Sequence, residues 1–316
     1  MENNNVLIKV LRPKILEDII GMKSVIKGIK EQFESKRIPH FFLLSGASGS
    51  GKTTISRILA LMLQDADPED NLSKYDIREI NASDKNGVDD MRALIESVRY
   101  KPMAPSISKV IILDECHQLT SAAQNVLLKV TEDVPPYLYF IFSTSNASKI
   151  IEALKRRAYI INTKGLNDKE IGKLLDRAAE EYESDKDYEP LKEELIELGI
   201  DSPGLILQAA EKFFNGHKIS ECIMTGDTSG IDTRKLCSLI SKGDWKGSAE
   251  ILILVKKDDV PMIRICVSAY MKTILLKKSG DGAIAMAKAI KCLNENYDDL
   301  PCFLANVCIA CSIVKQ

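Results

Sequence analysis

The first half of this chain predicts an α/β fold, a parallel sheet covered on both faces, and the second half predicts helices alone. Three observations carry that expectation. Apolar runs of strand length alternate with helical patterns over residues 1 to 163. A glycine-rich loop joins the first of these runs to a helix. The β signal then stops after Asn162.

The strand candidates are residues 41–44, 75–80, 110–113, 138–144 and 159–161. Val110-Ile111-Ile112-Leu113 is apolar without interruption, the pattern of a strand buried on both faces. Between 121 and 131, Ala122, Val126 and Val130 recur at helical spacing, and Pro135-Pro136 ends that helix. Beyond the sheet, Asn167 reads as a helix cap before Ile171, Leu174, Leu175, Ala178 and Ala179, which share one face. Helices are also expected at 188–198 and, entered through Ser202-Pro203-Gly204, at 205–214. The polar stretch 225–230 reads as a linker, and residues 232–316 as further helices. The expected domains are therefore 1–163, 164–227 and 228–316.

With 316 residues, 45% hydrophobic and 28% charged, the chain has the composition of a soluble globular protein of two or three domains. A net charge of −2 excludes a globally basic nucleic-acid binder, so any such contact needs a local basic groove or several copies. The eight cysteines form no disulfide or metal framework. Cys308 and Cys311 are spaced as a C-x-x-C, but in an apolar stretch with neither a second pair nor a histidine nearby, so core cysteines are expected. Reduced thiols, a polar start at Met1-Glu2-Asn3-Asn4-Asn5 and the lack of a membrane-length apolar run together lead to the expectation of a cytoplasmic protein without a membrane partner.

Gly46-Ala47-Ser48-Gly49-Ser50-Gly51-Lys52-Thr53 reads G-x-x-x-x-G-K-[ST], with Thr54 opening the following helix. Backbone N–H groups of such a loop, with the helix N-terminus, cradle phosphates. Lys52 would neutralise the β- and γ-phosphates and Thr53 would ligate Mg²⁺. About sixty residues on, the run 110–113 ends in Asp114-Glu115, at the strand end where open α/β sheets place ligands. Asp114 would hold Mg²⁺, usually through water, and Glu115 would polarise the attacking water. The plain alternative for the loop is an ordinary Gly/Ser surface turn, and the acidic pair taken alone is a common strand end. Their combination predicts a nucleotide hydrolase.

Several further blocks, in order, resemble the clamp-loader ATPases of the AAA+ superfamily over roughly residues 9–210. They are Arg12-Pro13 with Glu17-Asp18-Ile19-Ile20-Gly21, Ile38-Pro39-His40, the stretch from Asn81 to Arg92, Asp114 to Thr120, and Ala123 to Lys129. They are similar both to bacterial gamma/tau subunits and to replication factor C small subunits. The resemblance implies an AAA+ ATP-binding domain, a helical lid and a helical collar through which subunits form a ring or spiral. It implies ATP with Mg²⁺ as cofactor, and a sliding clamp, other loader subunits and primer–template DNA as partners; the zinc of the bacterial relatives is expected to be absent, because no cysteine lies before Cys116. Arg12 and Pro13 would lie on the adenine side. Ser145 would be the polar sensor of the γ-phosphate, with Thr144 the alternative. Arg157 takes the position of the arginine that reaches a neighbour's ATP, although the flanking Ser and Cys of that signature are absent and Arg156 is an alternative. Lys85 with Asn86, and Lys129, match positions at helix N-termini that touch the DNA backbone; Arg92 lies one helix face further on.

One departure bears on mechanism. Where hydrolysing relatives offer an arginine from the lid, this chain has Ser202-Pro203-Gly204-Leu205-Ile206-Leu207, closer to the family's non-hydrolysing stator subunits. A branch-migration type AAA+ motor and a slowly hydrolysing nucleotide-binding scaffold are the alternative functions.

Overall fold

A computed structural model describes residues 7–222, 233–276, 279–294 and 300–315. The expected linker at 225–230, and with it the boundary at 227, lies outside the described residues. The chain divides into two compact units.

The first unit, Arg12–Leu166 with Ser202–Gly204, is built on five parallel strands: β1 (Phe41–Ser45), β2 (Ile77–Asn81), β3 (Lys109–Asp114), β4 (Leu138–Thr144) and β5 (Tyr159–Asn162). Their spatial order is β2-β3-β4-β1-β5. Helix α2 (Lys23–Glu34) precedes β1, and α3 (Lys52–Met62), α4 (Val88–Ser97), α5 (Ser121–Glu132) and α6 (Glu152–Arg157) supply the crossovers that parallel neighbours need. The short α1 (Leu7–Val10) belongs to the other unit.

Alternate strand residues face opposite sides of the sheet, and both sides are covered. Phe41, Leu43, Ile111, Leu113, Phe140 and Phe142 pack with Met91, Leu94, Ala123, Leu127 and Leu154. Phe42, Leu44, Val110, Ile112 and Ile141 pack on the other side with Ile29, Ile55, Ile58 and Leu59. That double burial is why the central strands are apolar without alternation. Edge strand β2 is charged instead, with Arg78 and Glu79 exposed, and it starts at Ile77 rather than at the expected residue 75 because the Ile77 amide turns back to the carbonyl of Tyr75. The order places the end of β1 beside that of β4, Ser45 opposite Thr144, and the end of β3 beside β4, Leu113 opposite Phe142. The loop after β1 and the acidic end of β3 thus meet at the C-terminal ends of the central strands.

The second unit contains α7 (Asp168–Glu181), α8 (Glu189–Glu197), most of α9 (Pro203–Phe214), α10 (Ile219–Cys222), α11 (Thr233–Ser241), α12 (Trp245–Leu252), α13 (Val260–Leu275), α14 (Asp281–Leu293) and α15 (Leu300–Lys315). Asn167 caps α7 by accepting from the amides of Lys169 and Glu170, while Glu170 returns to the Asn167 amide, a reciprocal box. Proline opens α9, where its missing N–H costs no helical bond. Asp244 caps α12 through the Gly247 amide. Among the described residues no helix is long and apolar enough to cross a membrane, and the cysteines are free thiols.

Candidate nucleotide-binding site

The glycine loop runs from the end of β1 into α3, with Gly51 as N-cap in a left-handed conformation (φ 92°) and Lys52 as first helical residue. The first N–H groups of a helix have no intrahelical acceptor, and the helix dipole adds partial positive charge there. The loop carbonyls are turned toward donors of the chain. Lys52 Nζ donates to the carbonyls of Gly46 (3.0 Å) and Ala47 (2.9 Å), and Ser50 Oγ donates to Ala47 O at 2.7 Å. Ser202 Oγ donates to Ser48 O and the Gly204 amide to Gly49 O, both at 3.2 Å. Carbonyls held this way leave the amide face of the loop for an anion. Lys52 is buried, and that burial pushes its ammonium below the usual lysine range, with Glu115 and Asp114 pulling the other way. A bound polyanion would restore what burial takes from the charge.

Thr163, just past β5, fastens the loop from below. Its amide donates to Ser45 O at 2.8 Å, and its hydroxyl shares a 2.7 Å hydrogen bond with Ser50 Oγ. Gly46 is required by this closeness: a Cβ there would lie 2.0 Å from Thr163 Oγ1 and 2.6 Å from its carbonyl oxygen. Gly49 is required twice, by a φ of +72° and by Ser202 Oγ, 2.4 Å from where its Cβ would be. Gly46→Ala is therefore expected to lower stability by about 1–3 kcal/mol, the usual cost of overpacking, and to abolish nucleotide binding. Urea melts and nucleotide titrations check both; a variant that melts like wild type and binds nucleotide normally would show that the loop can leave Thr163 without penalty.

At the end of β3, Asp114 is held on both carboxylate oxygens. Thr53 Oγ1 donates to Oδ2 at 2.8 Å, while Ser143 Oγ and the Glu115 amide (3.0 Å) donate to Oδ1. Thr53 hydroxyl and Asp114 carboxylate are hard oxygen donors already side by side, so these residues fit Mg²⁺. Glu115 adopts a left-handed backbone (φ 50°, ψ 40°), uncommon for a non-glycine residue and costly enough to mark a site. Ser145 Oγ donates to Glu115 Oε2 at 3.2 Å, and His117 Nδ1 lies 3.1 Å from the same oxygen. Cys116, between them, is buried and its thiol is pushed up to about 12, chiefly by that burial, so it is no nucleophile.

The other expected site residues are distributed as follows. Thr144 is buried, with its hydroxyl accepting from the Asn146 amide at 3.0 Å, so Ser145 rather than Thr144 faces Glu115. Arg12 is half-buried with Arg57 and Glu79 as charged neighbours; burial and Arg57 lower its pKa, and Glu79 opposes them. Arg57 holds Glu79 with two hydrogen bonds of 3.0 and 2.9 Å. Arg157, the last residue of α6, donates to Glu132 Oε1 at 2.9 Å, while Arg156 is mostly exposed with its Nε 3.8 Å from Glu152. Lys85 and Asn86 are exposed in the turn before α4, and the Asn86 carbonyl accepts from the Thr120 amide, which sets that turn beside the start of α5. Lys129 is also exposed but lies in the last turn of α5, not at a helix N-terminus as expected. Nine residues separate it from Thr120, about 13 Å along the helix at 1.5 Å per residue, so the two lysines are not one cluster. Arg92 is exposed and paired with Asp89 at 3.2 Å.

Two contributors escaped the sequence reading. Ser143 follows Phe142, the partner of Leu113 in the β3–β4 register, and so stands beside Asp114; a serine inside an otherwise apolar strand was the available signal. Gln124, buried on α5, donates to the carbonyls of Leu119 (3.3 Å) and Lys149 (3.0 Å) and accepts from the Ile151 amide (2.8 Å). It thereby fixes the entry to α6, the helix that carries Arg157.

Residues 21–167 match the model of the family described as DNA polymerase III, delta subunit. The gamma subunit of DNA polymerase III from Buchnera aphidicola is 32% identical over 188 residues, 55% of this chain and 52% of that protein. The tau subunit from Bacillus subtilis is 27% identical over 93% of this chain and 55% of its own length. The replication factor C small subunit of Methanococcus vannielii is 35% identical over 54% of this chain and 52% of that protein. The chain thus spans about half the length of the curated relatives it matches. Among solved structures, a Thermotoga maritima RuvB variant superposes with a TM-score of 0.57 at 20% identity, covering 84% of this chain and 91% of that one. A gamma subunit-related protein of the same organism superposes with a TM-score of 0.52 at 16% identity, covering 91% and 99%. At such identities the structural likeness speaks for the fold alone.

Proposed function

We propose that this chain, similar to the gamma and tau subunits of DNA polymerase III and to a replication factor C small subunit, is an AAA+ ATPase subunit of a sliding-clamp loader. The observation that carries the proposal is the convergence at the C-terminal ends of the central strands of a buried lysine in a glycine loop, a threonine–aspartate pair and a strained glutamate. Bound Mg²⁺·ATP would supply the electrophilic phosphorus and the charge that activates it. Lys52 and the N-terminus of α3 would hold the phosphates, Thr53 and Asp114 the metal, and Ser145 and Glu115 the attacking water. Arg12 and Pro13 would serve the adenine side.

The lid at 164–227, the collar at 228–316, and the partners belong to the same proposal. A clamp is a protein partner and needs apolar area. The loop between α4 and β3 exposes Tyr100, Met103 and Ile107, three large apolar side chains in eight residues. Buried Gln64 fastens that loop to the end of α3 by donating to Ser108 O (2.8 Å) and accepting from the Ile107 amide (3.1 Å). DNA contact would come from Lys85, Asn86 and Lys129, with Arg92 beside them, repeated around several subunits.

The scaffold reading has one observation in its favour. Ser202 and Gly204 hold the glycine loop by neutral hydrogen bonds where hydrolysing relatives would offer an arginine.

The test is ATP hydrolysis by the assembled complex with and without primer–template DNA. DNA is expected to stimulate hydrolysis. The double variant Lys85→Ala/Lys129→Ala should lose that stimulation, keep basal turnover, and lower the salt slope of DNA affinity by about one for each phosphate left without its lysine. Superimposable salt lines would remove these lysines from the interface. Turnover indifferent to DNA would remove the loader assignment.

A further inference from the structure

Glu115 stands at the head of a 3₁₀ turn, Cys116–Gln118, and its left-handed backbone folds that turn back so that the side chain two residues later returns to its carboxylate. That side chain is His117, only 11% exposed, with Nδ1 3.1 Å from Glu115 Oε2. Nδ1 is buried and has no aligned hydrogen bond to any group, Glu115 included, so the carboxylate oxygen 3.1 Å away is the nearest acceptor its N–H could turn to. The other ring nitrogen bears on the tautomer. His117 Nε2 lies 3.2 Å from Gln118 Nε2, an amide nitrogen that can only donate. With Nε2 accepting from that amide, Nδ1 is the nitrogen left to donate toward Glu115.

From this geometry we infer that His117 is a positioning residue for Glu115: a small rotation of its ring brings Nδ1–H into line with Oε2, where it joins the Ser145 hydroxyl, and Oε1 is left as the oxygen that takes the proton of the attacking water. The inference rests on the ATPase reading of the site. A base acts only when aimed within hydrogen-bond reach of the proton it removes, and a displacement of about 1 Å can cost on the order of a hundredfold in rate. A carboxylate on two rotatable methylenes, half open to solvent, needs such a restraint more than a buried one does. His117 is not placed to touch substrate, so its effect must pass through Glu115.

The experiment uses the full chain in its assembled state. His117→Phe keeps the ring volume and removes the donor; it is expected to lower kcat roughly ten- to a hundredfold with ATP affinity and melting temperature unchanged. His117→Gln, which restores an N–H, should recover most of the rate, and His117→Phe should add nothing in a Glu115→Gln background. The chain has three histidines, few enough to assign, so imidazole ¹⁵N NMR reads the contact without turnover: the Nδ1–H tautomer is expected, with resonances that move in Glu115→Ala. Wild-type protein that binds ATP and never turns it over would overturn the ATPase reading and the role with it. Wild-type turnover with His117→Phe at full rate, an equal loss in the Glu115→Gln background, or an Nε2–H tautomer indifferent to Glu115 would overturn the His117 assignment alone.

Discussion

Glu115→Gln is expected to slow ATP turnover by about 10²–10⁴-fold, the range in which a general base contributes, while ATP binds as tightly as to wild type. The amide keeps the length and shape of the side chain and can still accept from the Ser145 hydroxyl, which now donates at 3.2 Å. It cannot accept a proton from water. Binding should survive because the charges that meet the phosphates lie elsewhere: Lys52 among the loop carbonyls and Thr53 against Asp114. The measurement is single-turnover hydrolysis beside a nucleotide titration. Undiminished turnover with intact binding would remove Glu115 from the chemistry, and simultaneous loss of both would mean that the left-handed turn, not the base, had been disturbed.

The parts of this site that could be read in the sequence are those encoded by neighbours along the chain. The glycine loop is a local pattern, since six residues fix its backbone and the next two supply lysine and threonine. The run 110–113 announces a doubly buried strand because every residue in it is apolar, and the acidic pair follows at once. What escaped depends on pairing between distant segments. Choosing between Thr144 and Ser145 requires knowing how the end of β4 lies beside β3, where Leu113 sits opposite Phe142; in the structure Ser145 donates to Glu115, and Ser143, not among the candidates, donates to Asp114. The tie between Gly46 and Thr163 spans more than a hundred residues and has no signature at either end. Lys129 was expected at a helix start, but α5 begins at Ser121 under the cap of Thr120, which accepts from the Ala123 amide. That cap is visible in the sequence; which end of the helix faces a ligand is not. The approach of His117 to Glu115 follows from a positive φ at a non-glycine residue, which composition does not foretell.

Replacing Arg157 by alanine should leave the variant's own ATP site intact and cut hydrolysis at the neighbouring subunit by about 10³-fold or more, the effect of losing an arginine that neutralises the transferring phosphoryl group. In the isolated chain this guanidinium holds Glu132 at 2.9 Å, with side chains 36% and 54% exposed. A pair so open to solvent contributes about 0–1 kcal/mol, whereas a 10³-fold rate effect corresponds to about 4 kcal/mol. If Arg157 serves a neighbour's phosphate, breaking the pair would cost far less than the reach contributes, and Glu132 would be a parking place for the arginine rather than a lock. Two controls follow. Glu132→Ala should leave hydrolysis at the neighbouring site unchanged or faster, because it frees the guanidinium. Arg156→Ala should have little effect, since Arg156 points into solvent with only a 3.8 Å approach to Glu152 and Gln124 steers the helix entry that aims its neighbour. The assay needs complexes of defined composition, with one variant subunit beside a wild-type site. Equal hydrolysis beside mutant and wild-type neighbours would sink the assignment of Arg157, and a loss that tracks Arg156→Ala instead would move the role one residue back along α6.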